Sequence, residues 1–166
     1  MVFDAHVFTV AGLPLHPLVV HLVVVLLPLA AIGTLAVAVR PAWRRSLGIP
    51  ILLVALAGTV AVPLATATGR QLLASTGGGD PLVYEHAGQT GVLLPMAVVY
   101  VVLLAGAVLV ERTALSPSGV GAMGRSRGPD RSRIATVLAG LAAVAGVVTA
   151  ARVVQIGHSG AFSVWS

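Results

Sequence analysis

The stretch Pro17-Leu-Val-Val-His21-Leu-Val-Val-Val-Leu-Leu-Pro28-Leu-Ala-Ala-Ile-Gly33-Thr-Leu-Ala-Val-Ala-Val39 carries no charged residue, and Arg40 follows it at once. At 1.5 Å per residue such a run makes a helix about 34 Å long, enough to cross the roughly 30 Å hydrocarbon core of a bilayer. Three more runs share its length and apolar character, at about 47–69, 87–110 and 134–155, the last with one charge, Arg152, near its end. Each is bounded by charge, Pro or Gly. Four runs of this kind predict an all-α integral membrane protein, a bundle of four transmembrane helices forming one transmembrane domain over the 166 residues.

Composition agrees with that class. Hydrophobic residues make up 57% of the chain and charged residues 9%, against roughly 25% charged in an average soluble domain. So few charges cannot cover a water-facing surface. The net charge of +5 does not point to nucleic acid, because the Arg residues lie between apolar blocks instead of striping an amphipathic element. The chain has no Cys, which excludes disulfides, iron–sulfur ligation and thiolate zinc sites. Every basic residue is Arg; with the Ala, Val, Gly and Leu bias, this usage is that of a high-GC bacterial genome.

The Arg positions set the direction. Arg40, Arg44 and Arg45 fall between the first two runs, and Arg112, Arg125, Arg127, Arg131 and Arg133 between the last two. Those are eight of the ten; Arg70 and Arg152 fall at the other face. The positive-inside rule then predicts a multi-pass protein of the bacterial plasma membrane with both termini extracytoplasmic. Residues 112–133, rich in Gly, Ser, Pro and Arg, read as a flexible cytoplasmic loop. The first run is expected to be retained, since Asp4 and the absence of a basic leader do not fit a cleaved signal. Pro28, Pro63 and Pro95 fall inside runs, where kinks are the expected consequence.

The halves resemble one another. Val25-Leu-Leu-Pro28-Leu-Ala30 matches Val92-Leu-Leu-Pro95-Met-Ala97, and Thr66-Ala-Thr-Gly-Arg70 has a counterpart in Thr149-Ala-Ala-Arg152. A duplicated hairpin in one orientation implies a pseudo-twofold axis along the membrane normal. Ala61, Ala65 and Gly69, and Ala142, Gly146 and Ala150, recur every fourth residue. Small residues in register allow close helix approach, so spans two and four are expected to pack together at the bundle centre. The same faces suit homo-oligomerisation or attachment to a larger complex.

The predicted topology gathers all five His at the extracytoplasmic face: His6, His16, His21, His86 and His158. Imidazole is the commonest metal ligand. His16, His21, His86 and His158 are therefore candidate ligands, either for a transition metal such as copper or zinc or, in pairs, for a haem b with Arg70 and Arg152 near its propionates. Alternatively they are interfacial His that bond to Asp80, Glu85 or backbone, with no cofactor bound. His16 and His21 are five residues apart, about 140° around a helix, so they share no face if both are helical; if His16 stands just before the helix, in the His-Pro turn, its side chain can fold back and a chelate between the two stays open. No His lies on the cytoplasmic side to extend an electron path across the membrane. No catalytic constellation is visible, and five acidic residues leave hydrolysis few parts. The function readings are a haem- or metal-binding subunit in electron transfer or metal handling, working with a membrane redox protein, or a cofactor-free accessory subunit of a larger respiratory complex. A small transporter fits less well, because spans one to three offer little polarity at the midplane.

Leu13-Pro-Leu-His16-Pro17-Leu-Val-Val-His21 resembles the opening signature of a bacterial membrane family, the domain of unknown function 2231 family. Gly77-Gly-Gly-Asp80-Pro-Leu-Val-Tyr84-Glu85-His86-Ala-Gly88 is similar to that family's loop into span three, and Ile156-Gly-His158-Ser-Gly-Ala-Phe-Ser-Val-Trp165 to its closing motif. The resemblance covers nearly the whole chain. It implies four spans in a bacterial plasma membrane and a redox setting, since some members stand beside Rieske or cytochrome-type domains. The chain departs from the signature in one place: Leu22 stands after His21, where Pro is frequent.

Overall fold

The computed structural model describes residues 9–10, 13–75, 90–113 and 129–165. Four helices carry the fold: α1 (Leu15–Val39), α2 (Pro41–Ser75), α3 (Leu93–Thr113, entered through a 3-10 turn at Thr90–Val92) and α4 (Pro129–Trp165). A short antiparallel ladder, β1 (Thr9–Val10) with β2 (Leu13–Pro14), precedes α1. Each helix contains a stretch long and apolar enough to cross a membrane, with mean hydropathy from 2.2 to 2.7. Only 33–39% of each stretch is buried within the protein. Ile32, Val102 and Val144 are each more than 60% exposed. Large aliphatic side chains left outward on every helix need a lipid solvent, so the chain is a multi-pass membrane protein.

The helices form a ring. α1 packs on α2 and α3 on α4 within each hairpin, and α1 on α4 and α2 on α3 between them. Exchanging the hairpins maps this ring onto itself, as expected for a pseudo-twofold arrangement. The ring also corrects the expected pairing of spans two and four. α2 and α4 stand diagonally opposite, and their small-residue faces pack on other helices: a β-carbon at Gly69 would meet α1, and one at Gly146 would meet α3.

The boundaries differ from those read in sequence. α2 begins at Pro41, not near residue 47, because Pro suits a first helical turn and Arg44 is buried rather than looped out. Pro95 is the third residue of α3, where its missing N–H costs nothing, so it marks a helix start and not a mid-span kink. Pro28, Pro50 and Pro63 do lie within helices. α3 and α4 extend into the segment expected as loop, making Arg112, Arg131 and Arg133 helical; residues 114–128 lie outside the described residues.

The core has two stacked layers. Val19, Val23, Leu27, Ala61, Leu93, Ala97 and Val153 fill the end that contains His16. Ala30, Ala55, Tyr100, Leu104, Val108 and Ala142 fill the other. Tyr100 joins three helices: its ring lies over Gly146, where a β-carbon would come within 2.9 Å, and its hydroxyl bonds Thr34 Oγ1 at 2.7 Å. Thr34 in turn donates to Ala30 O at 2.8 Å. Since Thr34 uses its proton on that carbonyl, Tyr100 is the donor to Thr34. Every polar group of this buried chain is thereby satisfied inside one local network.

At the opposite end from His16 the bundle is closed by charge. The Arg44 side chain is 2% exposed and reaches Glu111 Oε2 at 3.3 Å, joining α2 to α3. Its Nη2 approaches Val37 O at 3.5 Å in the last turn of α1, where a cation complements the helix dipole. Arg45 Nε takes the other carboxylate oxygen of Glu111 at 3.5 Å. Arg40 stands over the Trp43 ring, 5.1 Å from its centroid.

Candidate functional site

His16 occupies the first turn of α1, half-buried against the C-terminal half of α2. Its Nδ1 lies 3.0 Å from Ala65 O and 3.3 Å from Thr68 Oγ1. A carbonyl oxygen can only accept, so Nδ1 carries the proton in this pair. Thr68 directs its own hydroxyl proton to Leu64 O at 2.9 Å, which leaves its oxygen to accept as well. In the neutral ring the lone pair is therefore on Nε2. A donated Nδ1–H to a backbone carbonyl is the arrangement that orients imidazole for ligation through Nε2.

Gly69 makes room for this ring. A β-carbon there would sit 2.9 Å from His16 Cε1 and 3.2 Å from Nδ1, so any larger residue would displace the imidazole. The small stripe Ala61, Ala65, Gly69 thus does two jobs. It lets α1 approach α2, and its last members seat the His16 ring and accept its proton. The stripe was visible in the sequence; its pairing with His16 was not, because periodicity says which face is small and not which helix meets it.

The other candidates spread around this end. His21 is exposed and donates Nδ1–H to Pro17 O at 2.6 Å, one turn back on its own helix. His16 and His21 both being helical, they face apart as their spacing predicts. His158 is exposed on α4. His86 and His6 lie outside the described residues, as do Asp80 and Glu85. Among the described residues no three His, Cys, Asp or Glu come together in a group able to hold a metal ion. Arg70 follows Gly69 in α2 and is exposed. Arg152 is half-buried on α4, with Nη1 3.2 Å from Gln155 Oε1. One turn on from Thr68, the buried Oε1 of Gln71 has no hydrogen-bond partner among the described residues. An orphaned acceptor one turn along from Thr68 makes this end more polar than the apolar run suggested.

No curated protein and no solved structure matches the chain. A family model described as a predicted membrane protein, domain of unknown function 2231, matches residues 12–166. That span takes in all four helices and His16, His21, His86 and His158, and the chain belongs to this family.

Proposed function

We propose that this chain is a small subunit of the bacterial plasma membrane whose His16 end, turned away from the cytoplasm, holds a haem b or a transition-metal ion through imidazole nitrogen. In this role it passes electrons or metal to a membrane redox protein or larger complex. The orientation is supported by the exposed Arg40, Arg45, Arg112, Arg131 and Arg133 at the opposite end, which the positive-inside rule assigns to the cytoplasm. The observation that supports the ligand reading is the His16 Nδ1–H held by Ala65 O, which fixes the orientation of the ring as a backbone carbonyl does for a ligating imidazole.

His16 supplies the fixed ligand in this reading. His21, His86 and His158 are the candidates to complete the set, and Arg70 is the cation next to His16 that would face a propionate. The haem b reading needs two of the imidazoles; the copper or zinc reading needs three or four. The competing reading is a cofactor-free accessory subunit, in which His16 serves as a strut between α1 and α2. The same bond to Ala65 O favours that reading too.

Titration separates these readings. Purified protein in micelles is titrated with haem, then with Cu²⁺ and Zn²⁺, alongside a His16→Ala variant. The expected result is saturable binding at one equivalent of either haem or metal, weakened at least tenfold by His16→Ala, with the helical content unchanged by circular dichroism. A loss of one second-shell-oriented ligand is of that order. Binding of neither at one equivalent, or equal binding by the variant, removes the ligand role and leaves the strut.

A further inference from the structure

A groove of about 370 Å³ runs along the lipid-facing side of the α3/α4 seam, lined by Pro95, Met96, Val99, Ala145, Val148 and Thr149. Its walls are apolar. The one hydroxyl in the lining, Thr149 Oγ1, is turned to Ala145 O at 2.8 Å and presents its methyl instead.

The α4 wall continues as a stripe. Arg152 lies seven residues beyond Ala145, four beyond Val148 and three beyond Thr149, so it stands on the same face, about 10 Å farther along the axis. It is the one charged residue in the fourth apolar run. Its Nη1 donates to Gln155 Oε1 at 3.2 Å, and among the described residues no carboxylate pairs with it. An apolar slot at hydrocarbon depth therefore opens toward a half-buried guanidinium near the level where α3 begins.

We infer that this groove binds a single phospholipid, one acyl chain lying against Ala145 and Val148 and the phosphodiester meeting Arg152. The order of chemistry along the stripe is that of the lipid itself: chain first, anion above it. Guanidinium binds phosphate oxygens by charge-assisted hydrogen bonds, and it offers more donors than Gln155 occupies. An isoprenoid tail would fill the slot and leave the cation unmatched.

Native mass spectrometry tests this on the full chain in micelles doped with phosphatidylglycerol or, separately, with diacylglycerol of the same acyl chains. One retained phosphatidylglycerol per chain is expected, with diacylglycerol retained far less. Arg152→Gln is expected to lower retention roughly tenfold, the usual scale of one charge-assisted contact. Ala145→Leu fills the slot and is expected to abolish retention; if that variant does not fold, Arg152→Gln alone decides. Any of four results overturns the inference: no adduct on the wild type, equal adducts on Arg152→Gln, equal retention of diacylglycerol, or a doubled protein mass that Ala145→Leu returns to monomer.

Discussion

Glu111→Gln is expected to cost about 3 kcal/mol of stability, because it strips the counter-ion from a guanidinium that has nowhere else to go. Arg44 is all but enclosed by α1, α2 and α3; its Nε already has no hydrogen-bond partner, and its contact to Val37 O is long at 3.5 Å. With Glu111 ionised, two Arg residues share one carboxylate, and the buried one gains most, since the Arg45 side chain is 63% exposed and solvated by water. Gln keeps the shape and one acceptor but not the charge. The cost arises from the orphaned ion, so removing both partners should recover most of it: Arg44→Met with Glu111→Leu is expected to approach wild-type stability. Equilibrium unfolding in mixed micelles measures both. A loss under about 1 kcal/mol for Glu111→Gln, or a double variant no better than the single, would show that the pair is not energetically buried.

Tyr100→Ala is the second large effect, also about 3 kcal/mol, by a different mechanism. The side chain is fully buried, and its ring fills the space that Gly146 leaves open. Removing it leaves a cavity between α1, α3 and α4 that the rigid helices cannot close. Tyr100→Phe separates ring from hydroxyl. It loses one interhelical hydrogen bond to Thr34, worth roughly 0.6 kcal/mol within membranes. The predicted ratio is therefore several to one in favour of the ring. If Phe proves as damaging as Ala, the hydroxyl network and not the packing holds this level of the bundle together.

These two sites also show what the sequence could and could not convey. The four spans were legible because length and hydropathy are one-dimensional properties, and the lipid requirement leaves helices few alternatives. In sequence Arg44 reads as a loop charge, because three Arg in six residues after an apolar run usually end a helix. Only the third dimension shows Glu111 waiting on α3, at a sequence distance no local pattern spans. Similarly, Ala61, Ala65 and Gly69 announce a close approach but do not name the partner. The expected pairing of α2 with α4 failed for that reason: a stripe fixes a face, while ring order fixes who meets it. Tyr100 went unnoticed as a midplane polar residue because a phenol within an apolar run reads as core.

The histidines divide along the same line. The order of the spans puts His16, His21 and His158 at one end of the bundle, and with His16 and His21 both helical the 140° between them separates their faces. The tautomer of His16 did not follow, since it depends on Ala65 O and on the absence of a β-carbon at Gly69. His86 and His158 were matched to His16 only by depth, and depth leaves the azimuth of each ring unassigned.

The ligand and partner proposed for the His16 end are extracytoplasmic, so the side of the membrane that this end faces decides whether either can reach it. A chain with no Cys makes this directly measurable, since each introduced thiol is the only one present. Ala74→Cys places it on an exposed position near the end of α2, and Ser132→Cys on an exposed position near the start of α4. With a membrane-impermeant maleimide on intact cells, the account predicts labelling of Ala74→Cys at once and of Ser132→Cys only after permeabilisation. The reverse pattern would place the imidazole end in the cytoplasm and contradict it.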